Sequence, residues 1–259
     1  MSGGRSHSLY RDGRSPVHRL AAEVKIVALV VFVLAVVATP RAMFWPYAMY
    51  ALILLTVFGL ARIPLRWVAP RMLIEAPFLV LAALLPFSGG GERVEFAGMS
   101  LSGAGLYAAW GIVIKGTLGV AASLTVAATT PVRELPVALS RLGVPALITS
   151  VLVLMVRYVD VLSAEANRMR IARLSRGDSP RTLPQAAAIA KSVGTLFLRS
   201  YERGERVYLA MLSRGFQGSV PELTLGSGGA VRASGRTWAL AMIPAAAAVV
   251  VSIATQVTP

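Results

Sequence analysis

Long apolar runs, separated by short polar segments, dominate the first half of this chain and recur near its carboxyl end. A helix needs roughly 20 apolar residues to cross the hydrocarbon core of a bilayer. The runs therefore predict about five membrane-spanning helices, at 24–39, 42–60, 72–87, 104–128 and 237–253. Glu75 and Pro77 make the third run imperfect. A Gly-rich loop is predicted between the third and fourth runs, at 88–103.

The segment 130–218 has a different pattern, in which charged residues alternate with apolar residues at helical spacing. One long helix is predicted from Pro145 to Ser175 and a second from about Leu183 to Ser213. The apolar start of the first, at 144–156, is too short to cross a membrane alone. In the second helix, apolar side chains at spacings of three, four and seven form one face: Val193, Phe197, Tyr201, Tyr208, Met211 and Leu212.

Each of these two helices ends in the same tripeptide, Ser175-Arg176-Gly177 and Ser213-Arg214-Gly215. Glycine just past a helix end is a common stop signal, because it accepts the left-handed backbone conformation. An arginine at that end also interacts favourably with the helix dipole. One copy alone would indicate only a helix end. Two copies in one polar block predict a pair of similar contact points.

Charge adds a topology to these elements. The chain is 56% hydrophobic and 15% charged, with a net charge of +14. Basic residues are concentrated in the arm before the first run and in the connection that carries Arg62, Arg66 and Arg71, which the positive-inside rule places in the cytoplasm. The amino terminus and segment 130–236 are then cytoplasmic and the carboxyl terminus external. The remaining positive charge favours an acidic partner or anionic lipid over nucleic acid.

The sequence lacks recognisable catalytic machinery. It has no cysteine, which excludes disulfides, thiolate metal sites and cysteine nucleophiles. His7 and His18 lie eleven residues apart in a polar arm without a neighbouring carboxylate cluster, so no metal site is predicted. No phosphate-binding loop of the GxxxxGKS/T type occurs, so the chain itself is not expected to hydrolyse ATP.

Two charged residues, Glu75 and Lys115, fall at membrane depth. Charges in such positions are either functional or directed into the helix bundle or towards the interface, and the sequence leaves both possibilities open. Small residues in the fourth run suit close helix packing: Gly111, Gly116, Gly119 and Ser123.

Several short motifs, each weak alone, together resemble one family. They are Ser15-Pro16-Val17-His18-Arg19-Leu20, Thr129-Thr130-Pro131, Leu142-Gly143-Val144-Pro145 and Arg157-Tyr158, with two dense stretches at 165–177 and 199–218. On these residues nearly the whole chain resembles the transmembrane T component of energy-coupling factor (ECF) transporters, especially the cobalt-type CbiQ branch. Ala21 departs from the aspartate that the family usually has after the leucine of the first motif.

The resemblance implies an all-α integral membrane protein that is a non-catalytic scaffold in a bacterial inner membrane. Two partner ABC-type ATPase subunits would bind ATP, so no cofactor is expected on this chain, and a separate S component would bind the substrate. The implied organisation is a cytoplasmic arm at 1–23, a membrane region at 24–129, a coupling-helix module at 130–218, a linker at 219–236 and a final membrane helix at 237–256. Carried over by position, the ATPase-coupling residues are Ser175, Arg176, Gly177, Ser213, Arg214 and Gly215.

Alternatives remain open at this point. Cobalt follows only from the branch of the resemblance, so a T component for nickel or for a vitamin such as biotin is a second candidate. A conventional ABC permease would have one docking loop and not two Arg-Gly helix ends. An integral-membrane enzyme, such as a lipid transferase, would need a cluster of acids or histidines at the membrane interface, whereas the acids here are scattered.

Overall fold

The structure is a computed structural model that describes residues 9–88, 93–96, 99–177, 186–218 and 234–257. Within these ranges the chain is built mainly from α-helices. They are α1 (Ala22–Ala38), α2 (Trp45–Ala61), α3 (Leu65–Val68), α4 (Ala76–Ser88), α5 (Gly103–Thr129), α6 (Leu135–Arg141), α7 (Ala146–Ser175), α8 (Ala186–Leu212) and α9 (Gly235–Val257). Short 3-10 helices at Ala69–Glu75 and Val132–Glu134 connect α3 to α4 and α5 to α6. The all-α fold class predicted from the sequence is confirmed.

The chain divides into two units. The bundle unit comprises His7–Leu135 and Ala230–Pro259, and the α6–α8 unit comprises Pro136–Gly229. In the bundle unit, α1 packs against α5 and α9, α2 packs against the same two helices, and α4 packs along α5. Its core joins aromatic side chains of α1 and α2 to small residues of α5 and α9, among them Phe32, Tyr50, Phe58, Ala122 and Ala248.

Four helical segments are long and apolar enough to cross a membrane by length and composition: Leu65–Phe87, Gly103–Thr129, Ala146–Ser175 and Gly235–Gln256. Helix α2 is apolar but has 17 residues, as α1 does. Together these helices make the protein a multi-pass membrane protein. The third of the four segments contains the apolar stretch at 144–156 within one continuous helix of 30 residues, as the sequence predicted. The stretch alone is too short to cross, whereas the whole helix has the length and composition of a crossing, and the cytoplasmic placement of α7 stays a prediction.

The predicted Gly-rich loop at 88–103 contains regular structure. Strands β1 (Arg93–Phe96) and β2 (Met99–Ser102) pair antiparallel, with Arg93 opposite Ser102 and Phe96 opposite Met99. Polar and apolar residues alternate in both strands, and this period of two is typical of strands. Ser102 then caps α5, because its hydroxyl accepts a hydrogen bond from the backbone N–H of Gly105 at 3.2 Å.

One close approach between helices involves a glycine that sequence reasoning did not single out. A side chain at Gly105 would lie 2.6 Å from the backbone oxygen of Leu85 and 2.9 Å from the Cα of Pro86, so α4 and α5 touch through their backbones there. Of the small residues predicted to allow close packing, Gly116 faces the Glu75 carboxylate and Gly111 faces the Arg41 side chain, whereas Gly119 has open space beside it.

Both charged residues at membrane depth interact inside the bundle unit. The Lys115 ammonium donates to the backbone oxygens of Val37 and Thr39, at 2.8 and 2.9 Å. It thereby satisfies carbonyls at the end of α1 that have no donor within the helix. Glu75 is buried, and its Oε2 accepts a hydrogen bond from the Thr117 hydroxyl at 3.0 Å. The side chains of Glu75 and Lys115 are therefore both directed into the helix bundle.

Candidate functional site

Helix α7 carries the first predicted contact point at its carboxyl end. It starts directly after Pro145, which is tolerated there because the first helical N–H groups have no intrahelical acceptor. It ends at Ser175, and the backbone N–H of the capping residue Arg176 is bonded to the Arg173 carbonyl at 3.0 Å. Gly177 then adopts φ +78°, in the left-handed region, and its N–H bonds to the Leu174 carbonyl at 3.0 Å. The helix is thus stopped by backbone geometry and not by a neighbouring element.

Helix α8 ends with the same geometry, completed by one further residue. Gly215 has φ +81°, and its N–H bonds to the Leu212 carbonyl at 3.0 Å. The next N–H, that of Phe216, reaches back to the Met211 carbonyl at 3.0 Å. This pair of bonds is the Schellman motif. Phe216 is half-buried, as the apolar position after the glycine often is in this motif.

The two serines of the tripeptides bond to their own helices. The Ser175 hydroxyl donates to the Ile171 carbonyl and the Ser213 hydroxyl to the Ala210 carbonyl, each at 3.0 Å. Such bonds are a common local use of serine in helices. These bonds account for both hydroxyls, so the serines are structural parts of the helix ends.

The two arginines, in contrast, point into open surroundings. Arg176 and Arg214 are both exposed. Within the described ranges, no hydrogen bond or ion pair joins either guanidinium to another group. Each therefore presents a full fork of N–H donors, the geometry that matches a carboxylate. The structure gives both predicted residues the same backbone setting and the same availability.

One contact between helices α7 and α8 is made by a carboxylate that sequence reasoning missed. Glu165 Oε1 accepts from Arg199 of α8 at 2.7 Å, and its Oε2 accepts from Arg168 of α7 at 3.2 Å. The Glu165 side chain is only 21% exposed, whereas Arg199 is 60% exposed. Residues 34 apart in sequence give no local signal for such a pair, so no sequence pattern pointed to it.

Beside this ion pair lies an apolar hollow of about 340 Å³ between the two helices. Its walls come from Leu154, Met155, Tyr158, Val159 and Leu162 on α7 and from Ser200, Arg203 and Gly204 on α8. Gly204 leaves a gap where a side chain would stand, because nothing lies within 4 Å of its missing Cβ. The predicted apolar face of α8 is exposed: Val193, Phe197, Tyr201, Tyr208 and Leu212.

No group of three or more His, Asp or Glu side chains is brought together in the described part of the chain. His18 is used structurally: its Nδ1 is 2.6 Å from the Ser15 hydroxyl and its Nε2 is 3.1 Å from the Arg11 carbonyl. Desolvation lowers the pKa of His18, which favours the neutral ring. In that form Nε2–H donates to the Arg11 carbonyl and Nδ1 accepts from the Ser15 hydroxyl. His7 lies outside the described residues.

Comparison with known proteins places this arrangement in a family. Residues 13–224 match the family described as cobalt transport protein, CbiQ. An energy-coupling factor transporter transmembrane protein, EcfT, of Bacillus selenitireducens is 30% identical over 81% of this chain and 82% of its own length. The cobalt transport protein CbiQ of Rhodobacter capsulatus is 27% identical over 80% and 82%. An EcfT of Thermotoga maritima is 24% identical over 80% and 79%.

The matched region contains both Arg-Gly helix ends, the α7–α8 contact and the membrane helices from α1 to α5. The relatives that bear functional names are transport components. The resemblance inferred from the motifs is therefore confirmed, and the chain belongs to the CbiQ cobalt transport protein family, whose relatives include the transmembrane proteins of energy-coupling factor transporters.

Proposed function

We propose that this chain is the T subunit of an ECF-type importer and that it transmits ATP-driven motion from two ATPase subunits to a substrate-binding S component. The observation that carries the proposal is the pair of equivalent helix ends. Each presents one exposed arginine, free of intramolecular ion pairs in the described ranges, immediately before a glycine in the left-handed conformation. Two such ends suit two similar partners.

The chemistry of each end suits a groove with an acidic residue. The guanidinium provides parallel N–H donors for a carboxylate, and such charge-assisted bonds are stronger than neutral ones. Because the glycine turns the chain directly after the arginine, the helix terminus can enter a groove end-on. An alternative is that each arginine only interacts favourably with the helix dipole. In that case, assembly with the ATPases would not depend on these two side chains.

In this proposal, the energy for transport comes from the ATPase subunits. The sequence has no phosphate-binding loop, so ATP is proposed to be bound by the ATPase subunits and no cofactor by this chain. Movement of the two ATPases relative to each other would displace the ends of α7 and α8, and the membrane helices would be re-posed against the S component. Cobalt is the proposed substrate, because the matching family and the Rhodobacter capsulatus relative carry cobalt transport in their names.

The proposed membrane is a bacterial inner membrane, with the amino terminus and the α6–α8 unit in the cytoplasm. This orientation follows from the positive-inside rule applied to the arm and to the connection with Arg62, Arg66 and Arg71. It places both helix ends on the side where ATP is available.

Charge reversal at both helix ends tests the proposal. The double variant Arg176→Glu, Arg214→Glu is expected to insert into the membrane normally and to lose copurification with the ATPases, because each carboxylate partner would face a like charge. The matched control is Arg170→Glu, Arg206→Glu, which reverses one exposed arginine in the body of each helix.

The control variant is expected to assemble as the unmodified chain does. Normal assembly of the helix-end variant, or equal loss in both, would contradict docking through Arg176 and Arg214. ATP hydrolysis by the purified chain alone would contradict the scaffold role. Uptake of labelled cobalt, measured with and without competing nickel, then identifies the substrate.

A further inference from the structure

The bundle unit contains a second site that the coupling role does not use. An apolar cavity of about 310 Å³ lies between α1, α2, α5 and α9, and the amino-terminal arm closes one side of it through Pro16, Val17 and Leu20. This volume is at the lower end of the roughly 300–1,000 Å³ that ligand pockets occupy. The walls are formed almost entirely by apolar side chains, so the cavity suits a hydrocarbon group.

One charged side chain lines this cavity. Lys25 is 5% exposed, and its ammonium donates to the Thr129 carbonyl at 2.8 Å and, less closely, to the His18 carbonyl at 3.4 Å. An ammonium has three N–H donors, so one remains for a further acceptor. Within the described ranges no carboxylate lies within ion-pair distance of the Lys25 ammonium, although Glu134 is near enough to interact with it electrostatically.

The cavity lies at one end of the bundle. Lys25 is near the start of α1 and Thr129 ends α5, while Leu60 and Leu240 stand at the end of α2 and the start of α9. Leu60 is 57% exposed and Leu240 is 59% exposed, so the cavity opens between them onto the outer surface of the bundle unit. Phe32 lies about two turns deeper along α1 than Lys25 and forms part of the inner wall. The site thus has a charged end and an apolar interior.

The surroundings of Lys25 are positive overall. The arm folds onto this end of the bundle, because the Arg11 N–H bonds to the Ala128 carbonyl at 2.9 Å. It brings Arg11, Arg14 and Arg19 to the same end, where Arg133 also lies, against the acidic residues Asp12, Glu23 and Glu134. Basic groups beside an apolar site favour an anionic amphiphile over a neutral one.

We infer that this cavity binds one acyl chain of an anionic phospholipid, whose headgroup phosphate accepts a hydrogen bond from Lys25. A multi-pass membrane protein is always surrounded by lipid, so mass action favours this occupant over a scarce ligand. The acyl chain extends into the cavity as far as Phe32, and the phosphate lies where the arm meets α5. The inference does not depend on ATPase docking, since it concerns only the bundle unit and its lipid.

Lipid retention by the full-length chain tests the inference. The purified protein is equilibrated in detergent with equal amounts of phosphatidylglycerol and phosphatidylcholine of identical acyl chains, and bound lipid is counted by native mass spectrometry. We expect one retained phosphatidylglycerol, preferred about fivefold, the ratio that one basic group near lipid typically provides. The variant Lys25→Gln is expected to lose the preference and Lys25→Arg to keep it.

A cavity-filling pair provides the structural control. Ala241 lines the cavity, and Ala241→Phe is expected to expel lipid of both kinds. Ala246 lies on the same helix but is exposed outside the cavity, so Ala246→Phe is expected to retain lipid as the unmodified chain does. This pair keeps the test informative if Lys25→Gln fails to fold.

Three results would overturn the inference. They are equal retention of the two lipids by the unmodified chain, an undiminished preference in Lys25→Gln, and equal behaviour of the two phenylalanine variants. A photoreactive residue at Leu240 identifies the occupant in the assembled transporter. We expect a lipid adduct, and a protein adduct would instead assign the cavity to a partner helix.

Discussion

At the residue scale, a third helix end shows what the two Arg-Gly ends have in addition to a stop signal. Gly143 has φ +88°, its N–H bonds to the Ser140 carbonyl, and the Val144 N–H reaches back to the Leu139 carbonyl. This is the same capping motif, but Leu142 stands where Arg176 and Arg214 stand in the others. Capping by glycine is therefore general in this chain, and the arginine distinguishes the proposed docking ends.

The glycine at each docking end is expected to be required for its backbone conformation. Gly215→Ala forces a Cβ into the left-handed region, at a cost of about 1–2 kcal/mol, although open space surrounds the position. The helix end then unwinds or redirects Arg214, so ATPase copurification should fall along with the thermal stability of α8. Gly143→Ala introduces the same strain and serves as the control. If it reduced ATPase copurification as strongly, the loss would reflect general destabilisation and not docking geometry.

At the element scale, the contact between α7 and α8 is expected to matter for transport more than for stability. Exposed ion pairs contribute about 0–1 kcal/mol, and Arg199 is largely exposed, so Glu165→Gln should change the unfolding temperature little. It removes the charge that holds Arg168 and Arg199 together across two helices. We expect uptake to fall severalfold while the ATPases still assemble.

The control for that variant is Glu202→Gln. Glu202 approaches Arg206 at 4.0 Å within α8 alone, so its loss leaves the contact between the helices intact. Uptake and ATP hydrolysis are measured in the same reconstituted transporter. Equal uptake by the Glu165 and Glu202 variants would show that the carboxylate between the helices has no role in transmission.

The elements themselves were largely predictable from sequence because their signals are local. Apolar length gave the membrane helices, and glycine after an arginine gave the ends of α7 and α8. What sequence missed depends on contacts between distant residues: the Glu165–Arg199 bond, and the backbone contact at Gly105. The hairpin β1–β2 was missed because its short strands lie in a Gly-rich stretch that reads as a turn region.

At the scale of the whole molecule, the topology can be read with single cysteines, since the natural sequence has none. Cysteines at Leu142 and Ala172, on either side of the apolar part of α7, are both expected to react with a membrane-impermeant reagent from the cytoplasmic side. Leu9→Cys should react from that side as well, and Gln256→Cys from the opposite side. The physical reason is the concentration of arginines around α7 and α8.

Labelling of Leu142→Cys and Ala172→Cys from opposite sides would instead make α7 a membrane crossing, as its length and composition permit. Helices α8 and α9 would then need to be placed anew, because one more crossing reverses the orientation of everything that follows it. Cysteine reactivity in detergent, where both faces are accessible, controls for intrinsic differences between the positions.

The continuity of α7 has a mechanical consequence. Its 30 residues make a rod of about 45 Å. Glu165, where α8 is attached, lies ten residues from Ser175 and nineteen from Ala146, or about 15 Å and 29 Å along the axis. In the proposed mechanism, rotation about this point would make α7 an unequal lever, in which each ångström travelled by the arginine end moves the opposite end by about two. A small closing movement of the ATPase subunits would thereby produce a larger displacement, with less force, at the Ala146 end of α7.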